Sequence, residues 1–444
     1  MLTPWKVPEP EAVPPQAPDA PDPQEVPVTM QPMHNIPARG GIDYDESPFL
    51  AIWEVTQSCD LACKHCRAAA QPIPHPDELT HEEGRALIDQ IAQMHIPIFV
   101  FTGGDPLKRK DVFELIRYAA GKGVQVAVTP SATPLLTREQ IFKMKDAGVV
   151  RLAISLDGSS PEIHDAFRGL PGAWARTIQA IEWANEAGIP IQVHSTISRH
   201  NANDLDNLCN LFEKLAIVMW NVFFLVPVGR GQMDDLLSGE EFEQVFGKIY
   251  ELSRRANFQI KTTEAMHYRR YLLQHNLEER KMGHGHPGSH ESRTTNQESG
   301  SYEPGTPTAE AKTRNMSWAT RRVNDGKGFV FISHVGNVYP SGFLPIHAGN
   351  IRETPLAEIY RNAPIFKALR DTKRLEGKCG ACEYKEICGG SRARAYALTG
   401  DPLAAEPCCI YQPKNWDPER EATASAFHSE ETRSMTQPGL LSLR

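Results

Sequence analysis

The chain lacks any run of roughly 18 apolar residues, so nothing in it reads as a membrane-spanning helix. It also lacks an excess of positive charge. Its 47 Lys and Arg stand against 55 Asp and Glu, a net charge of −8 at pH 7 that argues against a nucleic-acid partner. The N-terminus, "MLTPWKVPEPEAVPPQAPDAPDPQEVPV", lacks the apolar core and cleavage pattern of a secretion signal, so the expected location is the cytoplasm. The nine cysteines therefore read as metal-binding or catalytic groups in a reducing compartment, not as a disulfide framework.

Apolar residues are 40 % of the chain, and the shortage sits outside its middle. Residues 1–45 are rich in Pro and acidic side chains and hold too little apolar surface to bury a core, so disorder is expected there. A second polar stretch, 276–324, reads as a linker or insertion, and 416–444 as a loose tail. Two folded units remain, 46–275 and 325–415.

Within the first unit six short apolar runs recur: 49–55, 96–102, 124–129, 150–156, 189–197 and 220–226. Rich in β-branched and aromatic residues, they read as strands buried on both faces. Amphipathic segments separate most of them. One starts at Thr80 with Glu83 three residues on, a capping box, and turns Leu87, Ile88 and Ile91 to one face. A second starts at Asp111 and buries Phe113, Leu115 and Ile116, and a third runs from Thr137 with Ile141 and Met144 inward. Strand, helix, strand in this rhythm predicts an α/β fold on a parallel sheet, either doubly wound or a partial barrel. Both put their chemistry at the C-terminal ends of the strands.

At the first such end stands "CDLACKHC", with Cys59, Cys63 and Cys66 inside eight residues. Zinc needs four ligands to close its tetrahedron, and this loop offers three. A 4Fe–4S cluster held by three thiolates keeps one iron open, and an open position marks a catalytic metal rather than a structural one.

This CxxxCxxC loop resembles the signature of the radical S-adenosylmethionine (SAM) superfamily. Further stretches match in order. "TGGDPL" after the second strand resembles the family's GGE motif, with Asp105 in place of Glu, so Gly103, Gly104 and Asp105 are expected at the methionyl end of SAM. "SLDG" after the fourth strand places Ser155 and Asp157 near the ribose. Arg168 in "HDAFRG" matches an arginine that pairs with the SAM carboxylate, a bidentate task suited to guanidinium. Ser131 takes another SAM-proximal place, and His65 stands where the family has an aromatic ring beside the adenine. The resemblance implies a partial (βα)6 TIM-like barrel. It also implies reductive cleavage of SAM to a 5′-deoxyadenosyl radical, hydrogen abstraction from substrate, and a flavodoxin or ferredoxin as low-potential electron donor.

A second set, Cys379, Cys382 and Cys388 with Cys408 and Cys409 some twenty residues on, offers four ligands and one to spare. Alone it fits structural zinc or a fully ligated 4Fe–4S cluster. It resembles the SPASM/twitch C-terminal extension, which implies one auxiliary 4Fe–4S cluster held by Cys379, Cys382, Cys388 and Cys408, the last preferred over Cys409. Ser341 and Arg392 stand where a full SPASM domain carries further cysteines, so a second auxiliary cluster is not expected. Cys209, in "LDNLCNLF", reads as core. A closed cluster points to electron transfer and a net oxidation.

Two substrate classes remain open. The motif wording resembles the subgroup for haem and haem d1 biosynthesis, which acts on tetrapyrrole propionates, and Arg230, Arg392 and Arg394 are candidates to meet the carboxylates. Maturation of a ribosomally made peptide is the alternative, and a non-catalytic zinc-binding scaffold a remote third.

Overall fold

In the computed structural model the described residues are 42–281 and 322–417. Most of the Pro-rich N-terminal segment, of the insertion and of the tail expected above lies outside them. One sheet carries the molecule, in the order β10-β9-β8-β1-β2-β3-β4-β5-β6-β7. Its first six strands fall on the six predicted runs: β1 (Leu50–Glu54), β2 (Ile98–Thr102), β3 (Gln125–Val128), β4 (Val149–Ser155), β5 (Ile191–Ile197) and β6 (Met219–Phe224). All pair in parallel, and so does β7 (Gln259–Thr263) beyond them. The sheet stays open, with β7 at one edge.

Helices return the chain between strands: α1 (His81–Gln93), α2 (Val112–Gly121), α3 (Arg138–Asp146), α4 (Pro161–Arg168), α5 (Ala173–Glu186) and α6 (Leu205–Lys214). After β6 come α7 (Gly239–Arg255) and, beyond β7, α8 (Tyr268–Lys281), which runs six residues into the stretch read as linker. The Thr80 hydroxyl accepts from the Glu83 N–H while the Glu83 carboxylate accepts from the Thr80 N–H, closing the predicted capping box. Leu87, Ile88 and Ile91 are buried beneath α1 as expected. In α2 the buried positions are Val112, Leu115 and Ile116, and Phe113 is half-buried at the core's margin. Trp53, Phe99 and Phe101 are fully buried where α1 meets the sheet. Burying one such ring is worth about 1.5–3 kcal/mol. Cys209 lies in this core.

The segment after the insertion does not stand apart. Strand β8 (Phe329–Ile332) lies parallel on the free side of β1, Leu50 against Phe329, and β9 (Asn337–Tyr339) and β10 (Gly349–Asn350) extend it antiparallel. Four short helices follow: α9 (Leu356–Asn362), α10 (Pro364–Arg370), α11 (Gly377–Ala381) and α12 (Arg392–Thr399). Arg352 pairs with Glu83, tying this segment to the start of α1. No helix among the described residues is long and apolar enough to cross a membrane.

Candidate active site

Cys59, Cys63 and Cys66 line one cavity of about 200 Å³ at the C-terminal ends of the strands, together with Gly103, Gly104, Ser131, Ser155, His65 and Arg168. The glycines are there because backbone lies against backbone. Gly104 N–H donates to Thr56 O at 2.8 Å and Asp105 N–H to Ser58 O at 2.7 Å. A Cβ on Gly103 would stand 2.6 Å from Thr56 O, and one on Gly104 2.6 Å from Gln57 O, so no side chain fits between the loop after β2 and the strand leading to Cys59. Gly229 does the same at the third cysteine. It sits at φ +61°, a Cβ there would fall on the backbone oxygens of Cys66 and Arg67, and Arg230 N–H donates to Cys66 O at 3.0 Å. Ser131 Oγ donates to Gly104 O at 2.8 Å and lies 3.5 Å from Cys59 Sγ. Burial pushes the Cys59 thiol up, so taking up metal there displaces a proton.

Two acidic side chains of the expected SAM site stand behind the cavity wall. Asp105 is fully buried, caps the turn that follows by accepting from Leu107 N–H at 3.2 Å, and accepts from Thr133 Oγ1 at 2.7 Å. Asp157 is also fully buried. It accepts from Thr196 N–H at 2.7 Å and pairs with Arg168 at 2.5 Å, which aligns that guanidinium so that Nη1 reaches Cys63 Sγ at 3.6 Å. Burial pushes the Asp157 carboxyl up, and Arg168 beside it pulls it back. Both aspartates thus shape the site through other residues. His65 stacks on Phe167, with ring centroids 4.2 Å apart, and burial holds it neutral.

Sequence reasoning missed part of the lining. His194 on β5 and Phe223 on β6 face the cavity, their rings 4.9 Å apart, and Phe343 from the C-terminal segment completes that wall 6.1 Å from Phe223. The alternation Gln192, His194, Thr196 in "IPIQVHSTI" marks the inward face of β5 and was the available signal. Arg67, also on the lining, bonds Glu54 at 2.8 Å and lies 4.3 Å over the Phe331 ring. Burial pushes the Glu54 carboxyl up, but Arg67 and His334 more than offset it and hold it below the usual range. Among the described residues, no Asp or Glu lines the cavity.

The second cysteine set gathers as expected, with one exchange. Cys379, Cys382, Cys388 and Cys409 line a common cavity. Cys408 turns the other way into the core, its Sγ 3.9 Å from Leu237 O, so the preference for Cys408 over Cys409 is reversed. Adjacent residues project to opposite sides, and spacing in sequence does not choose between them. Peptide N–H groups already point at three of the thiols: Glu406 to Cys379 at 3.3 Å, Tyr384 to Cys382 at 3.4 Å and Gly390 to Cys388 at 3.3 Å.

Arg392 and Arg394 are corrected as well. Both are buried and spent on protein groups, Arg392 on the Pro402 and Ala404 carbonyls and Arg394 on Glu406 and the Leu225 and Glu264 carbonyls. Neither is available to a substrate. Arg394 instead links the two cavities, because Leu225 lines the first and the Glu406 N–H touches Cys379 of the second. Arg230 keeps its Nε and Nη2 buried without a partner.

The Radical SAM superfamily model matches residues 53–212, and the SPASM iron-sulfur cluster-binding model matches 324–383. An AdoMet-dependent heme synthase of Methanosarcina barkeri is 41 % identical over 367 residues, 83 % of this chain and 97 % of that protein. The chain belongs to the radical SAM superfamily. A Nitratidesulfovibrio vulgaris protein of the same name is 40 % identical over 83 % of this chain and 94 % of its own. A Fe-coproporphyrin III synthase of M. barkeri is 30 % identical over 82 % of this chain and 88 % of that protein. Among solved structures, Streptococcus suis SuiB bound to S-adenosylmethionine matches the fold with a TM-score of 0.60 at 14 % identity, over 82 % of this chain and 78 % of that one. This radical SAM enzyme therefore has SAM and 4Fe–4S clusters as cofactors, and the scaffold reading falls. The thiols are grouped accordingly: three line a cavity of about 200 Å³ and four line one of about 20 Å³.

Proposed function

We propose that this enzyme oxidatively decarboxylates propionate side chains of an iron porphyrin in the cytoplasm, leaving vinyl groups. The observation that carries the reading is the substrate side of the first cavity. Its lining carries the Arg67 guanidinium, paired with Glu54, beside an aromatic wall of Phe223 and Phe343. That combination suits a flat, apolar macrocycle bearing carboxylates. The 41 % likeness to a heme synthase points the same way.

When bound, the three-cysteine cluster supplies the electron that cleaves SAM, and the resulting 5′-deoxyadenosyl group takes a hydrogen atom from substrate. Cys59, Cys63 and Cys66 hold that cluster, Arg168 faces the SAM carboxylate with Asp157 aligning it, and His65 flanks the adenine. Loss of one hydrogen atom and of carbon dioxide from a propionate leaves one electron over. Cys379, Cys382, Cys388 and Cys409 would hold the auxiliary cluster that would take up this electron, and the Leu225–Arg394–Glu406 contacts form the packed route to it. A flavodoxin or ferredoxin supplies the reducing electron.

Titration of the anaerobic enzyme with an iron porphyrin carrying propionates, and in parallel with a ribosomal precursor peptide, separates the two substrate classes. A saturable shift of the porphyrin absorbance, unaffected by peptide, is expected. Saturable peptide binding with no porphyrin shift would sink the proposal.

A further inference from the structure

His267, between β7 and α8, is fully buried, and neither of its ring nitrogens has a hydrogen-bond partner. Buried imidazoles are rarely left so, because each unmade bond carries the full loss of hydration. The ring packs between Phe242 and Phe246, at centroid distances of 5.1 and 4.8 Å, which supply no polar atom. It also lines the second cavity, sharing that space with Cys379, Cys382, Cys388 and Cys409. In either tautomer the neutral ring offers one N–H.

We propose that His267 donates a ring N–H to a sulfur of the auxiliary cluster and thereby raises that cluster's reduction potential. Reduction adds negative charge to the sulfurs, and a donor aimed at them stabilises the reduced state more than the oxidised one. The hydrogen bonds already described to three of these thiols come from backbone amides that no side-chain change removes. Arg392 Nη2 already lies 3.9 Å from Cys379 Sγ, and His267 would be a second side-chain adjustment on the same quantity, contributed by the segment between β7 and α8. A higher potential makes the cluster a better electron acceptor, as net oxidation requires. The inference rests on the auxiliary cluster alone and is indifferent to the substrate.

The test uses the full chain with Cys59, Cys63 and Cys66 replaced by Ala, so that only the auxiliary cluster contributes to the spectrum. With 15N-labelled histidine, the electron spin echo of the reduced cluster should show a weak histidine-nitrogen coupling. H267F should abolish that coupling and move the midpoint to lower potential at unchanged iron content. H267Q, which keeps an N–H, should restore part of the shift. Absence of any histidine-nitrogen coupling in the parent protein overturns the proposal. So does an unchanged midpoint in H267F, or a coupling as large as iron-bound imidazole gives, which would make His267 a ligand. Should H267F fail to hold iron, the parent spectrum still decides.

Discussion

Arg168 illustrates how much of this site depends on side chains that never meet a cofactor. Its guanidinium is nearly enclosed, and the Asp157 carboxylate behind it is wholly so. Asp157→Asn leaves a buried positive charge without its counter-ion, and the expected cost is about 3–5 kcal/mol, read from denaturant unfolding of the metal-free protein. Gly104 is a second position on which the site depends, through backbone packing rather than a side chain. Gly104→Ala must part the loop after β2 from the Thr56–Ser58 backbone, so iron should fall from about eight to about four per chain, the auxiliary set being spared. Retention of all eight would show that the loop has slack. The three cysteines stood out because thiols so close together at a strand end suit a metal; Gly103, Gly104, Ser131, Ser155 and Arg168 came only through the family resemblance, and they line the same cavity. His194 was missed: the alternation in β5 marks its face, but one inward histidine there looks like any other half-buried polar residue. The choice of Cys409 over Cys408 lay equally out of reach, because it depends on which way one turn of chain faces.

At the level of elements, the six inner strands were legible because burial on both faces makes continuous apolar runs. Strand β7 was not. It stands at the sheet edge, and four of its five residues, all but Ile260, are only half-buried. The pairing of β8 with β1 joins residues some 280 apart across the insertion, and no local pattern announces it. That joint has a measurable consequence at α1. Arg352, just after β10, holds the Glu83 carboxylate by hydrogen bonds, with the Thr80 cap assisting, and lowers its pKa from 4.5 to about 2. Its share of stability is complete above about pH 4.5 and is lost as pH falls toward 2. Glu83→Gln should therefore flatten the acid limb of the unfolding profile in that window and leave neutral-pH cooperativity unchanged. An identical acid limb in the variant would mean the pair is too well solvated to matter.

Across the whole molecule, two cysteine sets divide the labour: three thiols beside about 200 Å³ of space, four beside about 20 Å³, joined through Arg394 and Glu406. The division predicts that Cys379→Ala with Cys382→Ala leaves SAM cleavage intact while product formation stops, measured as 5′-deoxyadenosine against product by mass spectrometry. The central claim is tested most directly by anaerobic reconstitution with SAM, a low-potential reductant and an iron porphyrin bearing propionates. The account predicts one 5′-deoxyadenosine and one carbon dioxide for each propionate converted to vinyl, with the porphyrin accelerating SAM cleavage. SAM cleavage that proceeds at the same rate without the porphyrin, and a porphyrin recovered with every carboxylate in place, would contradict it.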